Sequence, residues 1–323
     1  MVNRAKIEGN VRVLRCGVGD ETYGIEMSWV QGLRRADELQ HRGEQDGLVG
    51  TLPSPQGDLS VLRLADRLSH VQPSSRKVEH IIVLNAQPKP FGVMVDRVSH
   101  GQQVPARCLL PVPALALDLG NRCFEGLLKW EQELLLLLSP PWLCPEAYAQ
   151  GVERKARSFT APALPEFQGN RKRGANRILV FSLAEPGPRE WPLSFALNLA
   201  MVHEVLELPK LVPVPRAPAY VLGLASWRDW AIPVLDLAQR LGLPPSLTDA
   251  RSRLLLVRGQ QQAELFSFVV RPGIKILRLP LPHLACRRSL PVDSALVRGA
   301  VELMNQTLVV PDLNPLSVPG LVL

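Results

Sequence analysis

The chain has 323 residues, 46% hydrophobic and 21% charged, with a formal net charge of +7. That balance belongs to folded globular protein rather than to disorder, and the length suits about two domains. No run approaches the roughly 18 uncharged apolar residues of a membrane helix, and the polar start Met1–Asn10 lacks the apolar core of a secretion signal, so the expected compartment is the cytoplasm.

Thirty prolines and 23 glycines separate short apolar runs, which favours strands and turns over long helices. In chain order, Val11–Val18 reads as a strand that turns at Gly19-Asp20. Leu64–Leu68 reads as a turn or two of helix, and His80–Leu84 as a short apolar run of strand length. The stretch Gln150–Arg177 is polar, rich in Pro and Gly, and without periodicity, so it reads as a linker. It carries seven Lys/Arg against Glu153 and Glu166, a net of +5 and most of the excess of the whole chain. Strand signals resume at Ile178–Leu183, Arg253–Arg258 and Phe266–Val270, with a second short helix over Leu235–Leu241. Many short strands between Pro/Gly turns predict an all-β chain of small barrels or sandwiches.

The chain contains an internal repeat. Val61, Leu62, Leu64, Ala65 and Leu68 recur as Val234, Leu235, Leu237, Ala238 and Leu241, about 173 positions later. The run from Phe91 falls opposite that from Phe266, and Phe124-Glu-Gly126 opposite Val297-Arg-Gly299, in the same order. The boundaries drawn from this are a first domain over 8–148, a basic linker over 149–176 and a second domain over 177–318.

Residues suited to catalysis or metal binding do not assemble into a motif. The five cysteines form no CxxC pair and read as reduced, mostly buried thiols. The six histidines give no HxH or HExxH. No P-loop, GxGxxG or GxSxG is present. Asp96 and Asp236, isolated in β-rich motifs, are expected to accept backbone amides. His203 and Glu204 are adjacent, which on a regular strand sends them to opposite faces. The expectation is a non-enzyme without cofactor or metal.

The second copy resembles the CheW-like domain of bacterial chemotaxis coupling proteins. The residues are Met201–Leu206, then Leu211-Val-Pro-Val-Pro215, Pro218–Gly223, Trp227-Arg228-Asp229, and Ile232–Leu237. They keep the family's order of a Val-x-Glu-Val element, a proline-rich turn, Gly-x-x-Asn-Leu-Arg-Gly and Pro-Val-x-Asp-Leu. Departures are Asp229 in place of a glycine and Ser226-Trp227 in place of Asn-Leu. The first copy resembles the family in Val95-Asp96-Arg97-Val98 and in the Val61–Leu64 frame. There, Gln56 is read in place of the motif arginine, Ser60 of the proline, Arg63 of the aspartate, and Gly32 opposite Glu204.

The resemblance implies two tandem domains, each of two small SH3-like five-stranded barrels with short helices, and no catalysis. It implies partners in the cytoplasmic tip of a methyl-accepting chemoreceptor and the regulatory domain of a CheA-type histidine kinase, and also other CheW-like proteins. Contact with a membrane would be indirect, through receptors. The binding positions it carries over are Val202, Glu204 and Arg228, to which Trp227 and Asp229 are added. Read from the residues alone, Val202 suits a core. Glu204 and Arg228 could equally pin a strand to a turn. Arg228 lies between Trp227 and Trp230, one of which is expected in the core, and Trp with Arg is a mixture enriched at binding hot spots. The expected function is a cytoplasmic adaptor at receptor arrays. The alternatives are a scaffold in a chemosensory pathway for pili, biofilm or polar placement, or a basic nucleic-acid-binding module acting through the linker.

Overall fold

The computed structural model describes residues 9–40, 48–55, 57–68, 80–86, 88–117, 123–131, 133–145, 177–183, 193–259, 265–278, 290–303 and 306–316. Contacts divide the chain into two compact units: Met1–Val112 with Gly120–Pro162, and Pro113–Leu119 with Ala163–Leu323.

The first unit holds β1 (Asn10–Val18), β2 (Glu21–Glu26), β3 (Val30–Arg35), β4 (Leu48–Leu52), β5 (Leu59–Arg63), β6 (His80–Leu84), β7 (Phe91–Val95), β8 (Arg97–Pro105), β9 (Leu109–Leu110), β10 (Phe124–Trp130) and β11 (Glu133–Leu138). The second holds β12 (Ile178–Phe181), β13 (Leu193–Asn198), β14 (Val202–Glu207), β15 (Val221–Trp227), β16 (Trp230–Leu235), β17 (Arg253–Arg258), β18 (Leu265–Val270), β19 (Lys275–Leu277), β20 (Val297–Leu303) and β21 (Gln306–Pro311).

Each unit contains two sheets, and the sheets of one unit repeat those of the other. The orders β8-β1-β2-β11-β10-β9 and β19-β12-β13-β21-β20 correspond, as do β3-β6-β7-β5-β4 and β14-β17-β18-β16-β15. The fold is therefore all-β and doubled, as the repeat predicts. The strands β6, β7, β17 and β18 are short apolar runs that are buried along nearly all their length, as central strands covered on both faces must be. The second unit's largest core cluster joins Phe181 and Phe195 of one sheet to Phe266 and Phe268 of the other.

The expected closed barrels are, in the described ladders, open sheets of five or six strands. Their edges nevertheless approach one another. After β14 the chain crosses to the far edge strand β15 and pairs with it at one bridge, where Val212 and Leu224 exchange both hydrogen bonds at 2.8 Å. The ladder cannot extend through Pro213 and Pro215, which have no N–H to donate. Gln40 and Thr51 exchange the same pair of bonds at 2.9 Å in the first unit. These approaches are too close for a side chain. A β-carbon on Gly223 would lie 2.6 Å from the Val212 carbonyl oxygen, and one on Gly50 would lie 2.4 Å from that of Gln40. Gly223 also has φ +143°, a region open to glycine.

The predicted helices occupy Leu64–Arg67 and Leu237–Arg240. The second starts later than Leu235 because Asp236 caps it. The Asp236 carboxylate accepts the Gln239 amide, and it also accepts the Ser246 amide and hydroxyl, both at 2.8 Å. Asp96 likewise accepts the Gly19 amide at 2.7 Å. The position equivalent to Asp96 in the second copy is Arg271, since Phe91 and Phe266 start equivalent runs in the paired strands. Arg271 is buried and bonds to Asp249 at 3.0 Å.

Desolvation raises the Asp249 carboxyl, but hydrogen bonds from Arg271, the Arg251 amide and Ser252 outweigh it and hold the pKa below the ordinary value. A depressed carboxylate stabilises the fold above its unfolded pKa of about 3.9, and that contribution is lost as pH falls through the folded value. Asp249→Asn is expected to lower the thermal midpoint measured calorimetrically at pH 7, and to lower it by much less at pH 3.

Candidate functional site

In the second unit, charged and aromatic side chains meet where the two edges of a sheet approach one another. Glu204 lies on edge strand β14, and Trp227 and Arg228 lie at the tip of the hairpin that ends the opposite edge strand, β15. Trp227 pairs with Trp230 across a two-residue turn, Arg228-Asp229. Arg228 takes φ +47°, a left-handed conformation that costs a non-glycine residue about 1 kcal/mol. Asp229 is the exposed second residue of that turn.

Three side chains converge there. The Trp227 indole N–H donates to Glu204 Oε2 at 3.1 Å. Arg228 Nη2 approaches the same oxygen at 3.6 Å. The Arg228 guanidinium also lies over the Trp227 ring, 4.4 Å from its centroid. Trp227 is 7% exposed, so it is the tryptophan that faces the core, whereas Trp230 is half-buried. The Glu204 and Arg228 side chains remain 37% and 58% exposed. An ion pair this wet contributes about 1 kcal/mol at most, so its charged groups stay available to a partner.

The alternation expected for His203 and Glu204 does not hold. The pairing of β14 with β17 slips between Val202 and Glu204, and a bulge of this kind breaks the alternation of faces. Both residues reach Trp227: Glu204 through its carboxylate, and His203 through an edge-on ring contact at 5.1 Å. Val202 is 8% exposed and lies in the core cluster, where it anchors the strand that presents Glu204.

The reading of Gln56 opposite Arg228 is off by one position. Both flanks of the hairpin keep an offset of 173, from Gly50 to Gly223 and from Leu62 to Leu235. Pro55 therefore stands opposite Arg228, Ser54 opposite Trp227, and Gln56, which lies outside the described residues, opposite Asp229. Gly32 does stand opposite Glu204, since each follows a bulge at the same rung. The first copy thus has no counterpart to any of the three converging side chains.

One feature shared by the copies was missed in the sequence. Leu33 and Val205 occupy the same rung on β3 and β14, and both are exposed, at 50% and 39%. Their neighbours on the two edge strands differ, and only the ladder register brings them into correspondence. Among the described residues no group of three or more His, Cys, Asp or Glu is placed to hold a metal ion.

If Arg228 serves recognition rather than folding, the two halves of the site should respond differently to mutation. Arg228→Gly relieves the left-handed strain while losing the exposed pair, so urea unfolding should shift by less than about 1 kcal/mol. Trp227→Ala empties a core position and should cost about 3 kcal/mol.

The CheW-like domain family matches residues 12–146 and again residues 177–318. A probable chemotaxis protein CheW from Rhizobium etli is 30% identical over 76 residues, 24% of this chain and 48% of that protein. The chemotaxis protein CheW of Rhizobium meliloti is 31% identical over 85 residues, 26% of this chain and 50% of that protein. The chain thus spans about half the length of these curated relatives. Among solved structures, the scaffolding protein TtCheW from Thermoanaerobacter tengcongensis is 17% identical, with a TM-score of 0.38, covering 42% of this chain and 92% of that one. With most of its length matched in two successive segments, the chain belongs to the CheW-like domain family and carries that domain twice.

Proposed function

We propose that this protein is a non-catalytic adaptor of chemosensory signalling, with domains over 8–148 and 177–318 joined by the basic linker 149–176. Its two modules would bridge a chemoreceptor signalling tip and a CheA-type histidine kinase at receptor arrays in the cytoplasm. The observation that carries this reading is the constellation of Glu204, Trp227 and Arg228, in a chain whose family matches twice. A solvent-facing carboxylate and guanidinium, held in place by a buried indole and bordered by the apolar Val205, give the residue mixture of a protein-binding hot spot.

The first copy takes a different part. Without equivalents of Glu204, Trp227 or Arg228 its corresponding face is uncharged at those positions, while Leu33 keeps the exposed apolar position. We assign the receptor contact to the second copy, and the kinase or a neighbouring adaptor to the first. Two unlike modules on one chain raise each other's local concentration at a shared assembly.

Reversing the charge at the hairpin tip tests the receptor assignment. Arg228→Glu places two carboxylates together and should abolish capture of this protein by an immobilised receptor-tip fragment, with kinase capture unchanged. Retained receptor capture by a folded Arg228→Glu protein would remove the assignment.

A further inference from the structure

The second unit is assembled from two stretches of chain, and the smaller comes from an unexpected place in the sequence. Residues Pro113–Leu119 fall within the first matched domain segment, yet they belong to the second compact unit. Their anchor is Leu115. It is 0% exposed and is a member of the cluster that contains Tyr220, Leu235, Leu237 and Phe266. The turn that carries it, Ala114–Ala116, packs on β15, and Ala116 is also fully buried.

The turn is closed by its own hydrogen bonds. Pro113 precedes it at φ −57° and ψ 134°, and the amides of Ala116 and Leu117 return to the carbonyls of Pro113 and Ala114 at 3.0 and 3.1 Å. Pro111 stands two residues earlier. Fixed proline torsions reduce the freedom such a segment loses on docking. The result is a short rigid turn with one leucine as its knob.

We propose that the surface of the second domain beside β15 is a docking groove for a proline-flanked leucine turn, and that this chain fills it with its own residues 113–117. The segment is an internal ligand. Tethering on the same chain gives an effective concentration of about millimolar, so a free segment of the same kind cannot enter until the internal one is displaced. The groove on the second domain is therefore reserved, and a partner presenting such a turn is excluded. This inference is independent of the receptor assignment, because Glu204 and Arg228 take no part in it.

The test uses the full chain and a fluorescein-labelled peptide of residues 109–118, with binding read as fluorescence anisotropy. The wild-type protein should bind the peptide at least tenfold more weakly than Leu115→Asp, in which the internal knob is ejected by its charge. Circular dichroism and hydrogen exchange at β6 and β7 establish that the variant is folded; if Leu115→Asp does not fold, Leu115→Ala takes its place with the same expected direction. A second readout is amide exchange at β15, which should rise in the variant and fall again when peptide is added. Equal affinity for wild type and variant, or absence of peptide binding to a folded variant, overturns the proposal. Receptor capture by the Leu115 variant should be unchanged.

Discussion

At Gly223 a β-carbon would stand 2.6 Å from a backbone carbonyl, and at Gly50 2.4 Å. Two strands at opposite edges of a sheet can come this close only where the side chain is a hydrogen atom. The contact curls the sheet and fixes where each edge ends. In the second domain it sets the hairpin of β15 and β16 so that the tip meets β14, which lies four places away in strand order. The charged site is the side-chain part of that seam, and the Val212–Leu224 bridge is its backbone part.

The two domains keep the seam and differ in what covers it. Backbone bridge, glycine and bulge are common to both, because they are conditions for the fold. The indole, guanidinium and carboxylate occur in one copy alone, and the strain at Arg228 is what such a tip tolerates when another role favours the residue. The shared apolar position, Leu33 and Val205, lies between these cases: it does nothing visible for the core and yet persists. Leu33 and Val205 thus form an exposed apolar position common to both copies, and only the second copy sets charged side chains beside it.

Much of this was legible in the sequence. The repeat could be read because its apolar frame, Val61–Leu68 against Val234–Leu241, packs in the cores and tolerates little change. Asp236 was readable as an acceptor of backbone amides because an isolated acid in a β-rich motif has few other uses, whereas its place as the cap of the helix emerged only from the structure. The failures have physical causes. The bulge before Glu204 leaves no mark in residue types, so simple alternation set His203 and Glu204 on opposite faces although both reach Trp227. The exchange of Trp227-Arg228 for Ser54-Pro55 erased the landmark that would have fixed the turn, and Gln56 was misaligned by one. The fate of Leu115 was beyond reach, because a leucine among prolines in a loop looks the same whether it covers its own domain or another.

The opposite charges at Asp96 and Arg271 bear on how a doubled chain folds. Tandem copies of one fold are prone to mispairing, in which a strand of one copy is built into the sheet of the other. Exchanging β7 for β18 would bring Asp96 against Asp249, and would leave Arg271 facing the Gly19 amide with no carboxylate to receive it. An unpaired charge in such a protected place is among the costliest errors a fold can make. The opposite charges at this one position would therefore penalise an exchange of those two strands between the halves.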